Sequence, residues 1–139
     1  MSEAEWEIMR VIWANEHVTA QVVFDILAKN KDWQLSTIKT LLGRLVKKGY
    51  VSVQKQGKCF LYEASVLEQE IALEKMNAVL EHVCPTKQGQ LILDMMKTVP
   101  LTQNIIEEII HLLQYKKDTA PETIMCTCLK GQCHCCKSH

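Results

Sequence analysis

The sequence predicts a mainly α-helical fold with one small β-hairpin, and three features of the chain support this. Apolar residues recur at helical spacing in six separate segments. The pattern becomes extended only between residues 51 and 62, as is typical of a two-stranded hairpin. With 139 residues and 47% hydrophobic content, the chain is long enough for one small domain with an appendage.

Two short helices are predicted first. Ser2-Glu3-Ala4-Glu5 has the form of a capping box, with Ser2 as N-cap and Glu5 reaching back to it. Thr19 is placed to cap the second helix. The apolar residues of both helices are expected to face one core, and they are Trp6, Ile8, Met9, Ile12, Trp13, Val22, Val23, Ile26 and Leu27.

The third predicted helix begins at Ser36, which is placed as its N-cap, and stops at Gly49. Its apolar face consists of Ile38, Leu41, Leu42, Leu45 and Val46. The opposite face has short hydroxyls and long cations, namely Ser36, Thr37, Lys39, Thr40, Arg44 and Lys47. Hydroxyls can hydrogen bond to phosphates and base edges, and an arginine can bind guanine with two hydrogen bonds. An ordinary solvated helix face is the alternative, and the residues that follow decide between the two.

Residues 51–62 are predicted to form a hairpin with Gly57 near its tip and Lys55 and Lys58 beside it. Three helices followed by a hairpin is the order of a winged helix-turn-helix. In that fold a basic wing tip adds phosphate contacts next to the third helix.

The charge distribution also favours DNA binding. The net charge of the chain is zero, but eight of its sixteen Lys and Arg residues lie between Lys29 and Lys58, with Asp32 as the single acidic residue. Such asymmetry predicts a basic DNA-facing surface on an otherwise neutral protein.

Three further helices are predicted in residues 66–117, the last of them capped by Thr102. Their apolar faces exceed what one winged helix can cover, so this region is expected to form a homodimer interface. The predicted domains are therefore a winged helix in residues 1–65, a helical dimerisation region in residues 66–117, and a linker with a Cys-rich metal-binding tail in residues 118–139. A two-fold dimer suits a palindromic operator.

Cysteine usage indicates metal binding. No basic signal-peptide region and no membrane-spanning apolar run is recognisable, so we expect a cytoplasmic location without membrane contact. Cysteines of a cytoplasmic chain more often bind metal or do redox chemistry than form a disulfide framework. Five of the seven lie in the last fourteen residues, while Cys59 and Cys84 are isolated and are expected to pack as small apolar residues.

The tail contains two mirrored Cys-x-Cys pairs, Cys126 with Cys128 and Cys133 with Cys135, and Gly131 lets the chain turn between them. Thiolates are soft ligands for Cu(I) and zinc. The one-residue spacer favours Cu(I), because structural zinc sites more often use longer spacers. The alternatives are an oxidisable tail and adventitious zinc capture. Because the tail is too short to have a core of its own, a bound metal would have to order it.

Two segments resemble the BlaI/MecI family of winged-helix repressors, and the likeness runs from residue 3 to about residue 62. They are Glu3-Ala4-Glu5-Trp6-Glu7-Ile8-Met9 with Val11-Ile12-Trp13, and Ser36-Thr37-Ile38-Lys39-Thr40-Leu41-Leu42 with Arg44-Leu45. The Cys-x-Cys pairs narrow the resemblance to the CopY type, the copper-responsive repressors of copper-export operons.

The resemblance implies a homodimer on operator DNA with a TACA/TGTA inverted repeat. It implies that the Zn(II)-loaded protein represses, and that DNA is released when Cu(I) from a copper chaperone replaces zinc. By position, the metal ligands would be Cys126, Cys128, Cys133 and Cys135. The DNA contacts would be Thr37, Lys39, Thr40 and Arg44, supported by Lys55 and Lys58. Cys136, His134 and His139 have no place in this pattern, and they leave the ligand set open.

Three other functions compete with this one. A β-lactam-responsive repressor of the same family would be cut at an Asn-Phe bond, but the comparable pair here is Asn104-Ile105 and no Asn-Phe pair exists in the chain. A copper-carrying protein would bind metal without operator affinity. An enzyme is not expected, because residues 1–120 contain no nucleophile–base pair, Gly-rich phosphate loop or His-containing zinc motif.

Overall fold

The computed structural model describes residues 1–134, so Cys135, Cys136 and His139 lie outside the described range. The elements in chain order are α1 (Glu3–Ala14), α2 (Ala20–Leu27), α3 (Leu35–Lys47), β1 (Val51–Gln56), β2 (Cys59–Ala64), α4 (Glu68–Glu81), α5 (Pro85–Thr98) and α6 (Gln103–Lys117). This order confirms the predicted mainly helical fold with a hairpin wing. None of the helices within residues 1–134 has the length and apolarity needed to cross a membrane. The chain forms two compact units, Met1–Glu74 and Lys75–His139.

The first unit is built around one hydrophobic core at the junction of α1, α2 and α3. Its buried members are Ile8, Met9, Val11, Ile12, Val18, Val23, Leu27, Ile38, Leu41, Leu42, Leu45 and Val51. The expectation that Val22 and Ile26 face this core was wrong, since they are 40% and 46% exposed. A helix as short as α2 turns only one side to the core, and Val23 and Leu27 occupy that side.

Helix starts follow the predicted caps with one exception. The Thr19 and Thr102 hydroxyls accept hydrogen bonds from the amides of Val22 and Ile105, at 3.2 and 3.3 Å. Ser36 was wrongly predicted to cap α3. The Gln34 carbonyl already accepts the first helical bond from the Ile38 amide at 3.2 Å, so Ser36 lies inside the first turn.

The end of α3 is set by Gly49, as predicted. Its φ of +86° lies in the left-handed region, which glycine adopts without steric cost. The Gly49 amide donates to the Val46 carbonyl at 3.1 Å, and the Tyr50 amide donates to the Leu45 carbonyl at 3.0 Å. This pair of bonds is a Schellman motif, and it directs the chain from α3 into β1.

The hairpin is longer and tighter than the sequence suggested. The register from Val51 opposite Ala64 to Gln56 opposite Cys59 leaves Gly57 and Lys58 as a two-residue turn, and Gly57 has a φ of +65°. Two strands alone are marginally stable. Here Val18 and Tyr62 exchange backbone hydrogen bonds of 3.1 and 2.7 Å, which attach the wing to the segment between α1 and α2.

The second unit has almost no buried core. Among the described residues 75–134, Cys84 alone is buried. Large apolar side chains of α4, α5 and α6 are exposed in the single chain, including Met76, Val79, Ile92, Leu93, Ile105, Ile106, Ile110 and Leu113. A unit with so little buried apolar surface cannot draw its stability from its own packing.

Candidate nucleic-acid interface and metal centre

The exposed face of α3 presents the side chains predicted for DNA contact. All six of them are exposed, while the opposite face of the helix is buried in the core. They are Ser36, Thr37, Lys39, Thr40, Arg44 and Lys47. The Thr40 hydroxyl donates to the Ser36 carbonyl at 2.9 Å, so it is held along the helix. Hydroxyls, two lysines and an arginine on one rigid helix face form a surface suited to phosphates and base edges.

The wing extends this polar surface. Lys55 and Lys58 are both exposed, Lys55 within β1 opposite Phe60 and Lys58 in the turn. Lys58 and Lys39 line the same groove of about 350 Å³, together with Thr19 and Gln21. The wing and α3 therefore each contribute a cation to the lining of one groove, an arrangement suited to contact with a phosphate backbone.

Lys48 has a structural role that the sequence did not reveal. Its Nζ donates to Glu5 Oε1 and Oε2 at 2.9 and 2.8 Å, and the Ser2 hydroxyl donates to Glu5 Oε1 at 3.1 Å. Desolvation alone would raise the pKa of the Glu5 carboxyl, but the hydrogen bonds from Lys48 and Ser2 and the nearby positive charge hold that pKa below its usual value. The pair fastens the end of α3 to the start of α1.

Four cysteine thiols meet in the second unit. The sulfur atoms of Cys84, Cys126, Cys128 and Cys133 all lie within 4.8 Å of one another. Three of them are ligands predicted from the tail motif. The fourth predicted ligand, Cys135, lies outside the described residues. The Cys126 to Cys133 and Cys84 to Cys126 sulfur distances are 3.2 and 3.6 Å, longer than the about 2.05 Å of a disulfide.

This cluster fits a tetrahedral thiolate site. With Zn–S bonds of about 2.3 Å, the sulfurs of such a site are about 3.8 Å apart. The observed separations, 3.2 and 3.6 Å for two pairs and at most 4.8 Å for all, bracket that value. The four sulfurs can therefore surround one soft metal ion with small adjustments of the side chains.

The turn in the tail holds the thiols together. Gly131 has a φ of +92°, as expected of the residue that reverses the chain between the two cysteine pairs. The Gln132 amide donates to the Leu129 carbonyl at 3.0 Å, and the Leu129 amide donates to Gln132 Oε1 at 3.1 Å. The reversed chain brings the Cys133 thiol close to those of Cys126 and Cys128.

Crowding disfavours thiolate formation when no cation is bound. The pKa of the Cys128 thiol is raised, first by its hydrogen bond with Cys126, then by desolvation and by hydrogen bonds with Cys84 and Cys133. Each neighbouring sulfur that ionises adds negative charge beside it. A bound metal cation reverses this preference, because metal ligation requires the thiolate.

The two isolated cysteines depart from the prediction in different ways. Cys84 is buried as expected, but it also lies in the thiol cluster. Cys59 was wrongly predicted to pack, since it is exposed on β2. Cys84 and Cys126 are separated by 42 residues, so no spacing rule could pair them. The one local signal was the position of Cys84 directly before Pro85, the first residue of α5, because thiols at helix N-termini are typical of metal and redox sites.

Comparison with known proteins places these features in a family. The family model described as penicillinase repressor matches residues 1–127. An uncharacterised 16.5 kDa protein of Latilactobacillus sakei is 40% identical over 97% of this chain and 92% of its own length. The methicillin resistance regulatory protein MecI of Staphylococcus aureus strain N315 is 33% identical over 84% of this chain and 94% of its own length. The solution structure of the DNA-binding domain of the repressor BlaI is 37% identical, covering 50% of this chain and 85% of that domain, with a TM-score of 0.47. The chain therefore belongs to the penicillinase repressor family, the BlaI/MecI-type repressors, and is a repressor of that family rather than an enzyme.

Proposed function

We propose that the protein is a copper-responsive transcriptional repressor of a copper-export operon. Its homodimer binds a palindromic operator with a TACA/TGTA inverted repeat in the cytoplasm when the tail holds Zn(II). It releases the operator when the tail thiols exchange zinc for Cu(I) delivered by a copper chaperone. The observation that carries the proposal is the convergence of four thiols within 4.8 Å in a chain of a repressor family.

The exposed face of α3 supports the DNA-binding half of the proposal. The helix is fixed from three directions, by its buried apolar face, by the Schellman motif at Gly49 and by the Glu5–Lys48 pair. Only a rigid helix can hold Thr37, Thr40 and Arg44 in one register with the edges of successive bases. Lys39, Lys47, Lys55 and Lys58 supply phosphate contacts, which set affinity and its salt dependence.

The exposed apolar residues of the second unit support the homodimer. On α6, Ile105, Ile106, Ile110 and Leu113 are each more than 40% exposed in the single chain. Contiguous apolar surface of this kind marks a contact between proteins. A second copy of the chain is the economical partner, because the same faces on both copies form a closed two-fold interface.

The chemistry of the thiols supports metal sensing. Thiolates prefer Cu(I) and zinc over hard cations, and Cys126, Cys128, Cys133 and Cys135 would hold either ion. When bound, zinc supplies positive charge that keeps the thiols ionised. Four thiolates with one Zn(II) and four with two Cu(I) have the same net charge. Exchange therefore leaves the electrostatic repulsion of phosphate unchanged, and the geometry around the cysteines has to transmit the signal.

The test is operator anisotropy at one fixed salt concentration, measured anaerobically while Cu(I) is titrated into the zinc-loaded protein. We expect DNA to be released at about two Cu(I) per chain, because four thiolates can hold about two Cu(I) ions. Zinc should be freed in parallel. The variant with Cys126→Ser and Cys128→Ser should lose the response. Cys59→Ser is the matched control, because Cys59 is an exposed thiol outside the cluster.

The second candidate is a β-lactam-responsive repressor, favoured by the 33% identity to MecI over 84% of this chain. It predicts tight operator binding that does not respond to copper. The absence of an Asn-Phe pair from the sequence, with Asn104-Ile105 at the comparable position, argues against it. A copper-carrying protein predicts metal binding with no operator affinity in either state, so the same titration separates all three.

A further inference from the structure

We propose that Cys84 is a metal ligand, which completes one site with Cys126, Cys128 and Cys133. Metal binding would then join the tail to the corner between α4 and α5. The inference rests on the proposed metal-sensing function and assigns to Cys84 the fourth ligand position that the tail motif gives to Cys135. Nothing in the spacing of the Cys-x-Cys pairs anticipates it.

The Cys84 sulfur is about as close to the tail sulfurs as these are to one another. Its sulfur lies 3.6 Å from the Cys126 sulfur and within 4.8 Å of the sulfurs of Cys128 and Cys133. Cys84 is 8% exposed, whereas the three tail cysteines are half-buried. Cys84 is therefore the most buried member of the cluster, and the tail cysteines lie on its solvent side.

The corner that presents Cys84 is held by hydrogen bonds. Gln88 Nε2 donates to the Leu80 carbonyl at 2.8 Å and to the Val83 carbonyl at 3.0 Å. The Val83 amide also donates to the Leu80 carbonyl at 2.9 Å, and the Lys87 amide donates to the Cys84 carbonyl at 2.8 Å. Cys84, directly before the first turn of α5, is thus a pre-positioned ligand, while the other three come from a segment without helix or strand. A ligand whose position is fixed by the structure around it gives a metal site its precision.

Cys84 also has a polar neighbour at the start of a helix. It is the N-cap of α5, with Pro85 as the first helical residue. The Thr86 hydroxyl lies 3.0 Å from the Cys84 sulfur, within reach of a hydrogen bond that would orient the sulfur as a ligand.

The fourth ligand decides what metal exchange can do. If Cys135 completes the site, the site lies wholly in the tail, and α4 and α5 are untouched by its occupancy. If Cys84 completes it, occupancy fixes the tail to a corner between two helices of the predicted dimerisation region. Because exchange of Zn(II) for Cu(I) does not alter the net charge, a ligand on these helices supplies a geometric route for the signal.

Cobalt substitution in the full-length chain tests the ligand set. Co(II) replaces zinc at thiolate sites, and its thiolate-to-cobalt charge-transfer absorption grows with the number of sulfur ligands. With four sulfur ligands, Cys84→Ser should lower this absorption at saturation by about a quarter. Zinc affinity, measured by chelator competition, should fall by more than the about 10–100-fold that loss of a ligand's hydrogen-bonding partner costs.

Matched variants make the result decisive. Cys59→Ser should change neither the spectrum nor the affinity, and Cys135→Ser should leave the absorption of the wild type. Cys84→Ala, with circular dichroism on both Cys84 variants, separates ligand loss from misfolding, because helical content should match the wild type. Full absorption in Cys84→Ser combined with a quarter lost in Cys135→Ser would overturn the inference and leave the proposed function intact. A wild-type chain with no thiolate-to-cobalt band would overturn both. Loss of about a quarter of the absorption in Cys84→Ser, combined with operator binding that does not respond to copper, would support the ligand and refute copper sensing.

Discussion

Substitution of Glu5 by Gln tests whether the ion pair with Lys48 holds α3, the helix proposed to contact DNA, in place. The side chain of Glu5 is 4% exposed and that of Lys48 is 45% exposed. Glutamine has the same shape, so it removes the negative charge and retains the packing. The amide can no longer accept both bonds from Lys48 as an ion pair, and one of its own donors is placed beside cations.

The expected loss follows from the exposure of the two partners. Removing one member of a fully buried ion pair costs about 3–5 kcal/mol, because a desolvated charge is left behind. Here the remaining charge belongs to Lys48, which is half exposed and can turn to water. The loss should therefore be that of a buried hydrogen-bonded group, about 1–3 kcal/mol in the free energy of unfolding at pH 7. Urea unfolding followed by circular dichroism measures it.

The pH dependence of that loss gives the sharper test. The pKa of Glu5 in the folded chain lies below its usual value of 4.5. The unfolded chain therefore binds more protons as pH falls, and the stabilisation by Glu5 is present above about pH 4.5 and is lost as pH falls through the folded pKa. The stability difference between wild type and Glu5→Gln should shrink below pH 4.5.

Glu7→Gln is the control for Glu5→Gln. The Glu7 carboxylate lies 3.8 Å from Arg10, and the two side chains are 32% and 64% exposed. A pair so open to solvent contributes little, so this variant should stay within about 0.5 kcal/mol of the wild type at every pH. A difference between wild type and Glu5→Gln that is the same at pH 7 and pH 3.5 would refute the electrostatic reasoning and assign the loss to packing.

Three further predictions concern α3 and the cysteine tail. Arg44→Ala should weaken operator binding by about 1–3 kcal/mol in fluorescence anisotropy if it contacts a base, with little change in melting temperature; a large drop in melting temperature would instead make Arg44 structural. Gly43→Ala should stabilise the fold by about 0.5–1 kcal/mol, because nothing lies within 4 Å of the added methyl and helices favour alanine, and destabilisation on heating would contradict this. Cys126→Ser with Cys128→Ser should abolish copper-induced release while leaving helical content unchanged, and release equal to that of the wild type would exclude the tail as the sensor.

The fold could be predicted where local sequence decides it. The apolar face of α3 follows from helical spacing alone, and its predicted core residues Ile38, Leu42 and Leu45 are fully buried. Thr19 and Thr102 cap their helices because a hydroxyl directly before a helix can accept a hydrogen bond from a backbone amide of the first turn. These predictions needed no knowledge of which elements meet.

Two of the failed predictions concern a helix start and a long-range contact. Ser36 does not cap α3, because Leu35 is already half-buried at the start of the helix and brings Gln34 to the capping position. Cys84 appeared isolated, although the folded chain brings it to the tail across 42 residues. Spacing rules detect ligands within one motif, and they cannot detect a ligand supplied by a distant helix.

The division of burial between the two units explains where regulation can act. The first unit has a continuous core and holds α3 rigidly, as the proposed contact of this helix with base edges requires. Among the described residues of the second unit, Cys84 alone is buried, so that unit depends for its order on what binds it. Segments that switch state are drawn from the least stable parts of a protein. In the proposed mechanism, a metal bound between Cys84 and the tail would therefore act where a small free energy of binding produces the largest change in structure, while α3 would stay intact in both states.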